Sequence, residues 1–282
     1  MQNKVCLITG GNTGIGLETA RALARMGATV VLTSRNALKG QQAVEDIRAT
    51  TDSERVELLS LDLASLTSVR KAAETFKKRH DRLDVLINNA GLILSERTET
   101  EDGFEATFGV NHLGHFLLTT LLRDELEASA PARVVNVSSE LHRKAKGMGF
   151  DDLHAKRGYS AMDAYARSKL ANVLFTAELA ERLAADKVAA HALHPGVVRT
   201  KFGRDGDLQG IMGFAFRLAG PFLTTPEKGA RTSVHVASSP DVSGTGHYFK
   251  DSKVCEPSAA AKDRDAAKRL WQVSEEAVGA HW

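Results

Sequence analysis

The sequence contains little cysteine and little net charge, and each shortage excludes a class of protein. Two cysteines occur among the 282 residues, Cys6 and Cys255, so the chain has neither a disulfide framework nor the cysteine spacing of a metal site. So few cysteines favour a reducing compartment, and we expect a cytoplasmic protein. Lysine and arginine number 37 against 35 aspartates and glutamates, a formal charge of +2. This balance offers no electrostatic reason to expect a nucleic-acid partner.

Long apolar segments are also missing. The most apolar stretch late in the chain, 211–223, contains Arg217 and is shorter than the roughly 20 apolar residues of a membrane-spanning helix. We therefore expect no membrane span. Hydrophobic residues make up 43% and charged residues 26% of the chain. That is the composition of an ordinary globular protein, and the chain is long enough to bury its own core.

Short apolar segments alternate with segments of helical periodicity. The segments predicted as strands are Val5–Thr9, Thr29–Thr33, Val56–Leu61, Val85–Asn88, Arg133–Val137, Val188–Leu193 and His247–Phe249. Helical patterns lie between them, as at Ile15–Met26 and Ala37–Ala49. Continuous apolar strands that alternate with helices indicate a parallel sheet covered on both faces. With no break in composition, the sequence predicts one α/β domain over 1–282, a single doubly wound parallel sheet of the Rossmann type.

Two segments depart from this alternation. Residues 140–158 form a polar insertion with basic residues at 143–157, which we interpret as a solvated loop, with a membrane surface or an acidic partner as the alternative. Residues 201–225 are rich in apolar side chains and glycine, and we predict that they form a lid over an apolar substrate. The lid side chains are Phe202, Ile211, Met212, Phe214, Phe216 and Phe222. Alternatively, some of them belong to the core or to a subunit interface.

The first predicted strand leads into a glycine-rich turn that opens the first helix. Glycines let the backbone turn sharply and approach a pyrophosphate, and the amides at the helix N-terminus attract the anion. The spacing is G-x-x-x-G-x-G rather than G-x-G-x-x-G, but its position between a strand and a helix favours nucleotide binding. The candidate phosphate-binding residues are Gly10, Asn12, Thr13, Gly14, Ile15 and Gly16.

The ends of the second and third strands should bind the adenosine. An acidic residue after the second strand would bind the 2′-hydroxyl of NAD, whereas this chain has Arg35. A guanidinium suits the 2′-phosphate of NADP; alternatively, Arg35 is a solvated surface charge. After the third strand, Asp62 could accept a bond from the adenine amino group or simply cap the next helix. The candidates at these two strand ends are Ser34, Arg35, Asn36, Lys39, Asp62 and Leu63.

Three side chains form a candidate acid–base group. Tyr165 and Lys169 lie four residues apart in a helical pattern, so both project from one face. To act as an acid–base near neutral pH, a tyrosine needs a pKa well below its usual value of about 10, which a neighbouring ammonium and a positively charged nicotinamide could provide. Ser139 follows a strand and could donate a hydrogen bond to a substrate carbonyl. Alternatively, Ser138 and Ser139 only cap a turn.

These motifs occur together and in a fixed order. They are Thr9–Gly16, Asn88–Gly91, Asn111, Ser138-Ser139, Tyr165-x-x-x-Lys169 and Pro195-Gly196. In this combination the chain resembles the short-chain dehydrogenase/reductase family over essentially its whole length. Finer features are similar to the retinol-dehydrogenase-like branch of that family, namely Asn111–Phe116, Tyr165–Asn172, His194–Thr200 and Leu270-Trp271.

The resemblance implies roles for four catalytic residues. Ser139 would polarise the substrate carbonyl, Tyr165 would transfer the proton, and Lys169 would tune Tyr165 and hold the nicotinamide ribose. Asn111 would bend its helix and position a water that links Lys169 to solvent. Taken alone, an asparagine in a helix would be expected on the solvent face.

The resemblance also implies further contacts with the cofactor. Asn89 would meet the adenosine and tie neighbouring strands, while the Val198 backbone and Thr200 would hold the carboxamide. The full set is Asn89, Ala90, Gly91, Tyr165, Lys169, Pro195, Gly196, Val198 and Thr200. Family members commonly form dimers or tetramers through the helices that contain Asn111 and Tyr165, so a homo-oligomer is expected.

The sequence therefore predicts an NADP(H)-dependent enzyme that interconverts a carbonyl and an alcohol on a fairly bulky apolar substrate. Two alternatives stay open: a C=C reductase of the protochlorophyllide-reductase type, and a non-catalytic NADP-sensing module. We expect no metal site, because the pairs His112/His115 and His191/His194 lack an acidic or cysteine ligand nearby.

Overall fold

The computed structural model describes residues 1–196 and 224–282. Within them, the β-branched and aliphatic segments form eight strands. These are β1 Val5–Ile8, β2 Thr29–Ser34, β3 Val56–Ser60, β4 Val85–Asn88, β5 Ala132–Val137, β6 Val188–His194, β7 Tyr248–Lys250 and β8 Lys253–Cys255. The boundaries of the first seven agree with the sequence prediction to within one residue. Of the predicted lid, 201–225, residues 201–223 lie outside the described residues.

Helices connect the strands. They are α1 Gly14–Arg25, α2 Ala37–Thr51, α3 Leu66–Arg79, α4 Ala106–Phe108, α5 Gly114–Leu121, α6 Arg123–Ala128, α7 Ala161–Arg182, α8 Pro226–Ser238 and α9 Arg264–Val278. A π-helical segment, Gly109–Leu113, joins α4 to α5, and short 3₁₀ helices lie at Glu140–Lys144 and Ala259–Lys262. Polar residues at the N-caps explain several starting points, since Asn36 accepts a hydrogen bond from the first turn of α2 and Ser65 does so for α3.

The strands form one sheet in the order β3-β2-β1-β4-β5-β6-β7-β8. From β1 the chain moves outward to β2 and β3, then crosses back to β4 on the other side of β1. All neighbours from β3 to β7 are parallel. The sheet is therefore doubly wound, and its strand order reverses between β1 and β4. Open α/β sheets bind their ligands at such a reversal, beyond the carboxyl ends of the strands.

One edge of the sheet differs from the predicted, wholly parallel arrangement. Strand β8 runs antiparallel to β7, so the sheet is parallel only as far as β7. The β8 strand has three residues, and Val254 at its centre is 57% exposed. A segment this short shows no apolar alternation that would distinguish it from a loop.

Two apolar cores cover the two faces of the sheet. Alternate residues of a strand point to opposite faces, so Leu7 of β1 packs with α3, α5, α7 and α9, whereas Ile8 packs with α1, α2 and α8. This arrangement confirms the prediction of strands buried on both sides. The predicted solvated insertion, 140–158, begins with a 3₁₀ helix, and its Arg157 pairs with Asp151 at the surface.

The C-terminal helix lies on the helices that the family resemblance assigns to subunit contacts. In α9, Trp271 is 2% exposed. Its ring centroid lies 5.0 Å from that of Phe116 in α5 and 5.7 Å from that of Phe175 in α7. The guanidinium of Arg182 lies 4.2 Å from the centroid of the same ring. An interface built on α5 and α7 would therefore have to include α9, and the homo-oligomer stays a prediction.

Within residues 1–196 and 224–282, no helix combines the length and the apolar content of a membrane span.

We expect Trp271→Ala to lower the free energy of unfolding by about 3–5 kcal/mol, because truncation of a buried tryptophan leaves a cavity between α5, α7 and α9. Urea denaturation followed by circular dichroism measures this loss. The neighbouring Gln272 is exposed, so Gln272→Ala is the matched control and should change stability by less than about 0.5 kcal/mol. Equal losses in the two variants would contradict the assigned packing of α9.

Candidate active site

The carboxyl ends of β1 to β6 meet at one edge of the sheet, and the candidate residues lie in the turns that follow them. The glycine turn follows β1, Arg35 follows β2, and Asp62 follows β3. Asn89, Ala90 and Gly91 follow β4, Ser139 follows β5, and Pro195 and Gly196 follow β6. Because parallel strands all point the same way, residues from six separate parts of the sequence line one crevice.

Close contact between two of these turns explains part of the glycine pattern. The Asn89 side chain donates to the Thr9 carbonyl from 2.8 Å, which ties the end of β4 to the end of β1. A Cβ atom at Gly16 would lie 2.6 Å from the Asn89 amide nitrogen. Glycine is therefore required at position 16 for these turns to meet. The predicted role of Asn89 in tying neighbouring strands agrees with this bond.

The start of α1 has the features of an anion site. Its N-cap, Thr13, has an extended backbone, and within the described part of the chain its side chain accepts no hydrogen bond from the first turn. The first amides of a helix lack partners inside the helix and lie at the positive end of its dipole. These amides open into the crevice beside Gly10 and Asn12, which fits the pyrophosphate of a dinucleotide.

The turn after β2 is built around Arg35. The Ser34 hydroxyl donates to the Asn36 carbonyl from 2.8 Å, and the Asn36 side chain accepts from the Lys39 amide at 2.9 Å. Ser34 and Asn36 thus shape the turn with their own side chains, while Arg35 is exposed. After β3, the Asp62 carboxylate accepts from the Ala64 amide, and Ser65, not Asp62, caps α3.

Ser139 has the capping role that the sequence left as one alternative, and its contact with Tyr165 is compatible with the other. It is the N-cap of the 3₁₀ helix Glu140–Lys144, and its hydroxyl accepts a hydrogen bond from the Leu141 amide. The same side chain is hydrogen-bonded to Tyr165. Ser139 therefore caps its turn and also reaches the phenol that the sequence selects as the acid–base group.

Burial controls the protonation of the phenol and the ammonium. It raises the pKa of Tyr165 to about 12, although the bond to Ser139 acts in the opposite direction. The protein without a nucleotide thus moves this pKa upward, and the lowering expected from the ammonium together with a positively charged nicotinamide stays a prediction. Burial also lowers the pKa of Lys169 to about 8. At neutral pH the phenol is protonated and the ammonium is still mainly charged.

Lys169 joins α7 to the end of β5 and to the turn after β4. Its ammonium donates to the Val137 carbonyl from 3.0 Å and lies 5.6 Å from the centroid of the Tyr165 ring. A Cβ atom at Gly91 would lie 3.2 Å from this ammonium. Glycine at position 91 therefore leaves room for the ammonium beside this backbone, and Lys169 itself is buried, at 3% exposed.

Asn111 lies in the π-helical segment and is fully buried. Its side-chain oxygen, Oδ1, accepts from the Leu92 amide at 2.8 Å. Its side-chain nitrogen, Nδ2, donates to the Leu92 carbonyl and to the Ser168 hydroxyl at 2.9 Å each. The alternative of an asparagine on the solvent face is therefore wrong. The predicted interruption of the helix is confirmed, and the side chain braces the segment after Gly91 against α7.

Two histidines that the sequence did not place in the site hold the backbone around Ser139. The ring Nδ1 of His142 lies 2.7 Å from the Ser139 carbonyl, and the ring Nδ1 of His194 accepts from the Glu140 amide at 3.1 Å. Burial lowers the pKa of both imidazoles. A position at the carboxyl end of β6, directly before Pro195, was the sequence signal for His194. His142 carried no such signal.

Among the described residues, no group of three or more potential metal ligands is assembled. His112 instead lies 2.8 Å from the Ser274 hydroxyl of α9, in a structural contact. Two predicted cofactor contacts, Val198 and Thr200, lie outside the described residues, as do the six lid side chains named above.

Comparison with known proteins supplies the family. The profile of the short chain dehydrogenase family matches residues 4–208. The chain belongs to this family. It is 48% identical over 280 residues to retinol dehydrogenase 12 of Mus musculus, with 99% of this chain and 87% of that protein covered. It is 45% identical over 292 residues to retinol dehydrogenase 14 of the same organism, with 99% and 87% covered.

Solved structures agree on the fold. A crystal structure titled as a putative uncharacterized protein from Mycobacterium Paratuberculosis has a TM-score of 0.80 and 35% identity, over 99% of this chain and 95% of that one. The Pseudomonas aeruginosa RhlG/NADP active-site complex has a TM-score of 0.71 and 24% identity, over 88% and 94%. The second likeness supports the α/β fold alone. The family and its retinol dehydrogenases make this chain an oxidoreductase of the short-chain type.

We expect Asn111→Ala to lower the free energy of unfolding by about 1–3 kcal/mol, because the substitution removes two hydrogen bonds with Leu92 and one with Ser168. Thermal or urea denaturation of the protein without added nucleotide measures the change. Asn12→Ala is the control, since Asn12 is only half-buried in the turn before α1, and it should change stability by less than about 0.5 kcal/mol. An unchanged stability of the Asn111 variant would contradict the bracing role.

Proposed function

We propose that this protein is an NADP(H)-dependent reductase or dehydrogenase that interconverts a carbonyl and an alcohol on a bulky apolar substrate. The observation that carries the proposal is the contact of Ser139 with Tyr165, next to Lys169, at the edge of the sheet where the uncapped start of α1 also opens. Acid–base chemistry and dinucleotide binding thus share one crevice. The scarcity of cysteine supports the cytoplasm as the proposed compartment.

The residues present fit a dinucleotide. The first turn of α1 would hold the pyrophosphate, Lys169 would hold the nicotinamide ribose, and Arg35 would pair with a 2′-phosphate. The nicotinamide, when bound, supplies or accepts the hydride. No carboxylate among the described residues pairs with Arg35, so its guanidinium is available for a phosphate, which a planar fork binds in bidentate fashion. This availability favours NADP(H) over NAD(H).

In the reductive direction, the protein must place a proton on the developing alkoxide. Tyr165 is suited to this task because its buried phenol stays protonated at neutral pH. Ser139 would donate a hydrogen bond to the same oxygen and stabilise its charge. Lys169, held by the Val137 carbonyl, would lower the pKa of the phenol as the negative charge passes to it. Oxidation of the alcohol uses the same groups in reverse.

The substrate proposal rests on composition and on relatives. The segment 201–225 supplies several aromatic and aliphatic side chains of the kind that bind an apolar molecule. The relatives named retinol dehydrogenase favour a retinoid or a molecule of similar size and polarity. They also favour carbonyl–alcohol chemistry over reduction of a C=C bond.

We expect Tyr165→Phe to lower turnover by about 10²–10⁴-fold, because the variant loses the proton donor but keeps the ring. Absorbance at the nicotinamide band, with NADPH and a panel of bulky aldehydes and ketones, measures turnover. Binding of NADPH, measured by calorimetry, should stay within about threefold. Tyr159→Phe is the matched control, since the Tyr159 hydroxyl is hydrogen-bonded to the Leu94 carbonyl and to Thr107 rather than to Ser139. Unchanged turnover in the Tyr165 variant would favour a non-catalytic sensor.

We expect Arg35→Ala to weaken NADPH binding by about 10- to 100-fold and to leave NADH binding unchanged, because one charge-assisted phosphate contact is lost. Calorimetric titration of both nucleotides measures the two dissociation constants. Arg55→Ala is the control, because Arg55 is an exposed arginine before β3, at the opposite end of the sheet. A wild-type protein that prefers NADH would refute the role of Arg35.

A further inference from the structure

The buried imidazole of His115 connects the nucleotide-binding turn with the helix that carries Asn111, and no step proposed above uses it. His115 belongs to α5 and is 2% exposed. Its Nε2 atom lies 2.8 Å from the Thr9 hydroxyl, and its Nδ1 atom lies 3.1 Å from the backbone carbonyl oxygen of Asn111. One side chain therefore spans the distance from the end of β1 to the π-helical segment.

The bonds made by Thr9 determine which ring nitrogen carries the proton. The Thr9 hydroxyl oxygen accepts from the Asn89 amide at 2.9 Å and from the Ala90 amide at 3.0 Å. These two bonds occupy both of its acceptor positions. Its own proton then has two acceptors in reach, His115 Nε2 at 2.8 Å and the Ile87 carbonyl at 3.4 Å. The shorter bond is the stronger one, so Nε2 is the acceptor and bears no proton.

A neutral imidazole has one N–H group, which must therefore be at Nδ1. Nδ1 then donates to the backbone carbonyl oxygen of Asn111. Burial lowers the pKa of His115 to about 3, so the ring stays neutral throughout the physiological range. Both ring nitrogens are thus satisfied in one tautomer only, and the opposite tautomer would leave both contacts without a hydrogen bond.

These bonds close a ring around Gly91. Thr9 holds the chain at Asn89 and Ala90, and the Asn111 side chain holds it at Leu92. His115 joins Thr9 to Asn111 and completes the ring. Gly91, in the middle of the held segment, lies directly beside the Lys169 ammonium. The position of the segment that faces Lys169 is therefore set from two sides, with His115 as the link between them.

We propose that His115 is a positioning residue: in its Nδ1–H tautomer it holds the dinucleotide-binding turns of β1 and β4 in register with Asn111 and Lys169. This inference rests on the proposed function, because it assigns the ring around Gly91 to nucleotide binding and proton transfer. A residue that only filled space would need the shape of the imidazole but not its two directional bonds. Variants that keep one bond at a time separate these two roles.

The tautomer is tested directly on the unmodified protein by NMR with ¹⁵N-labelled histidine, in which protonated and bare ring nitrogens are well separated. The spectrum of His115→Asn identifies the His115 signals. We expect a protonated Nδ1 and a bare Nε2 that do not change between about pH 6 and about pH 9. A protonated Nε2, or an imidazole that titrates in this range, would overturn the proposal.

The two bonds are tested with one variant each. A glutamine at position 115 can place its carbonyl oxygen near the position of Nε2 and accept from Thr9, whereas an asparagine can place its amide near Nδ1 and donate to Asn111. We expect His115→Gln to bind NADPH within about twofold of the unmodified protein but to lose about tenfold in kcat. We expect His115→Asn to weaken NADPH binding about tenfold, which corresponds to the loss of about one hydrogen bond, and to change kcat little.

Thr9 provides matched controls for the first bond. Thr9→Val removes the hydroxyl and should weaken NADPH binding as His115→Asn does, and Thr9→Ser, which keeps the hydroxyl, should restore it. Similar losses of affinity and kcat in His115→Gln and His115→Asn, or a change in melting temperature alone, would overturn the positioning role. If no carbonyl compound is turned over, the proposed function fails, while the tautomer and the nucleotide affinities still decide the role of His115.

Discussion

Seven neighbouring strands that run in parallel place the turns after β1 to β6 at one edge of the sheet, and every candidate functional group depends on that placement. The chain crosses between β3 and β4, so the turns after β1 and β4 separate and leave a crevice. Direct bonds then hold these two turns at a set distance, since Asn89 donates to the Thr9 carbonyl. The phosphate-binding amides of α1 and the phenol of Tyr165 thus come to share one opening although they are far apart in sequence.

Burial both strengthens the hydrogen bonds of this region and shifts the pKa values of Tyr165 and Lys169. Below the crevice, Asn88 donates to Asn136, which in turn donates to Thr176, so polar side chains link β4, β5 and α7 inside the protein. Hydrogen bonds between buried polar side chains favour one arrangement of the surrounding elements. The low polarity that strengthens these bonds also keeps the Tyr165 phenol protonated and brings the pKa of Lys169 to about 8. Structural stability and the protonation of the two candidate acid–base residues therefore depend on one environment.

Much of this site could be predicted from local patterns. The i, i+4 spacing of Tyr165 and Lys169, the glycine turn after β1 and the serine at the end of β5 each follow from a short stretch of sequence. His115 could not be assigned in this way, because its partner Thr9 lies 106 positions away. As part of an H-x-x-H pair it suggested only a metal ligand. The upward pKa of Tyr165 was equally hidden, since it depends on the packing around the ring rather than on the lysine one turn later.

The sequence by itself determined the alternation of strands and helices, the family and the candidate acid–base residues, because these properties reside in the periodicity and spacing of neighbouring residues. The tertiary structure decided which tautomer His115 adopts, how far burial shifts the pKa of Tyr165 and Lys169, that β8 turns back against β7, and that α9 covers α5 and α7. Each of these depends on contacts between residues distant in the chain, and local spacing holds no information about which distant side chains will meet.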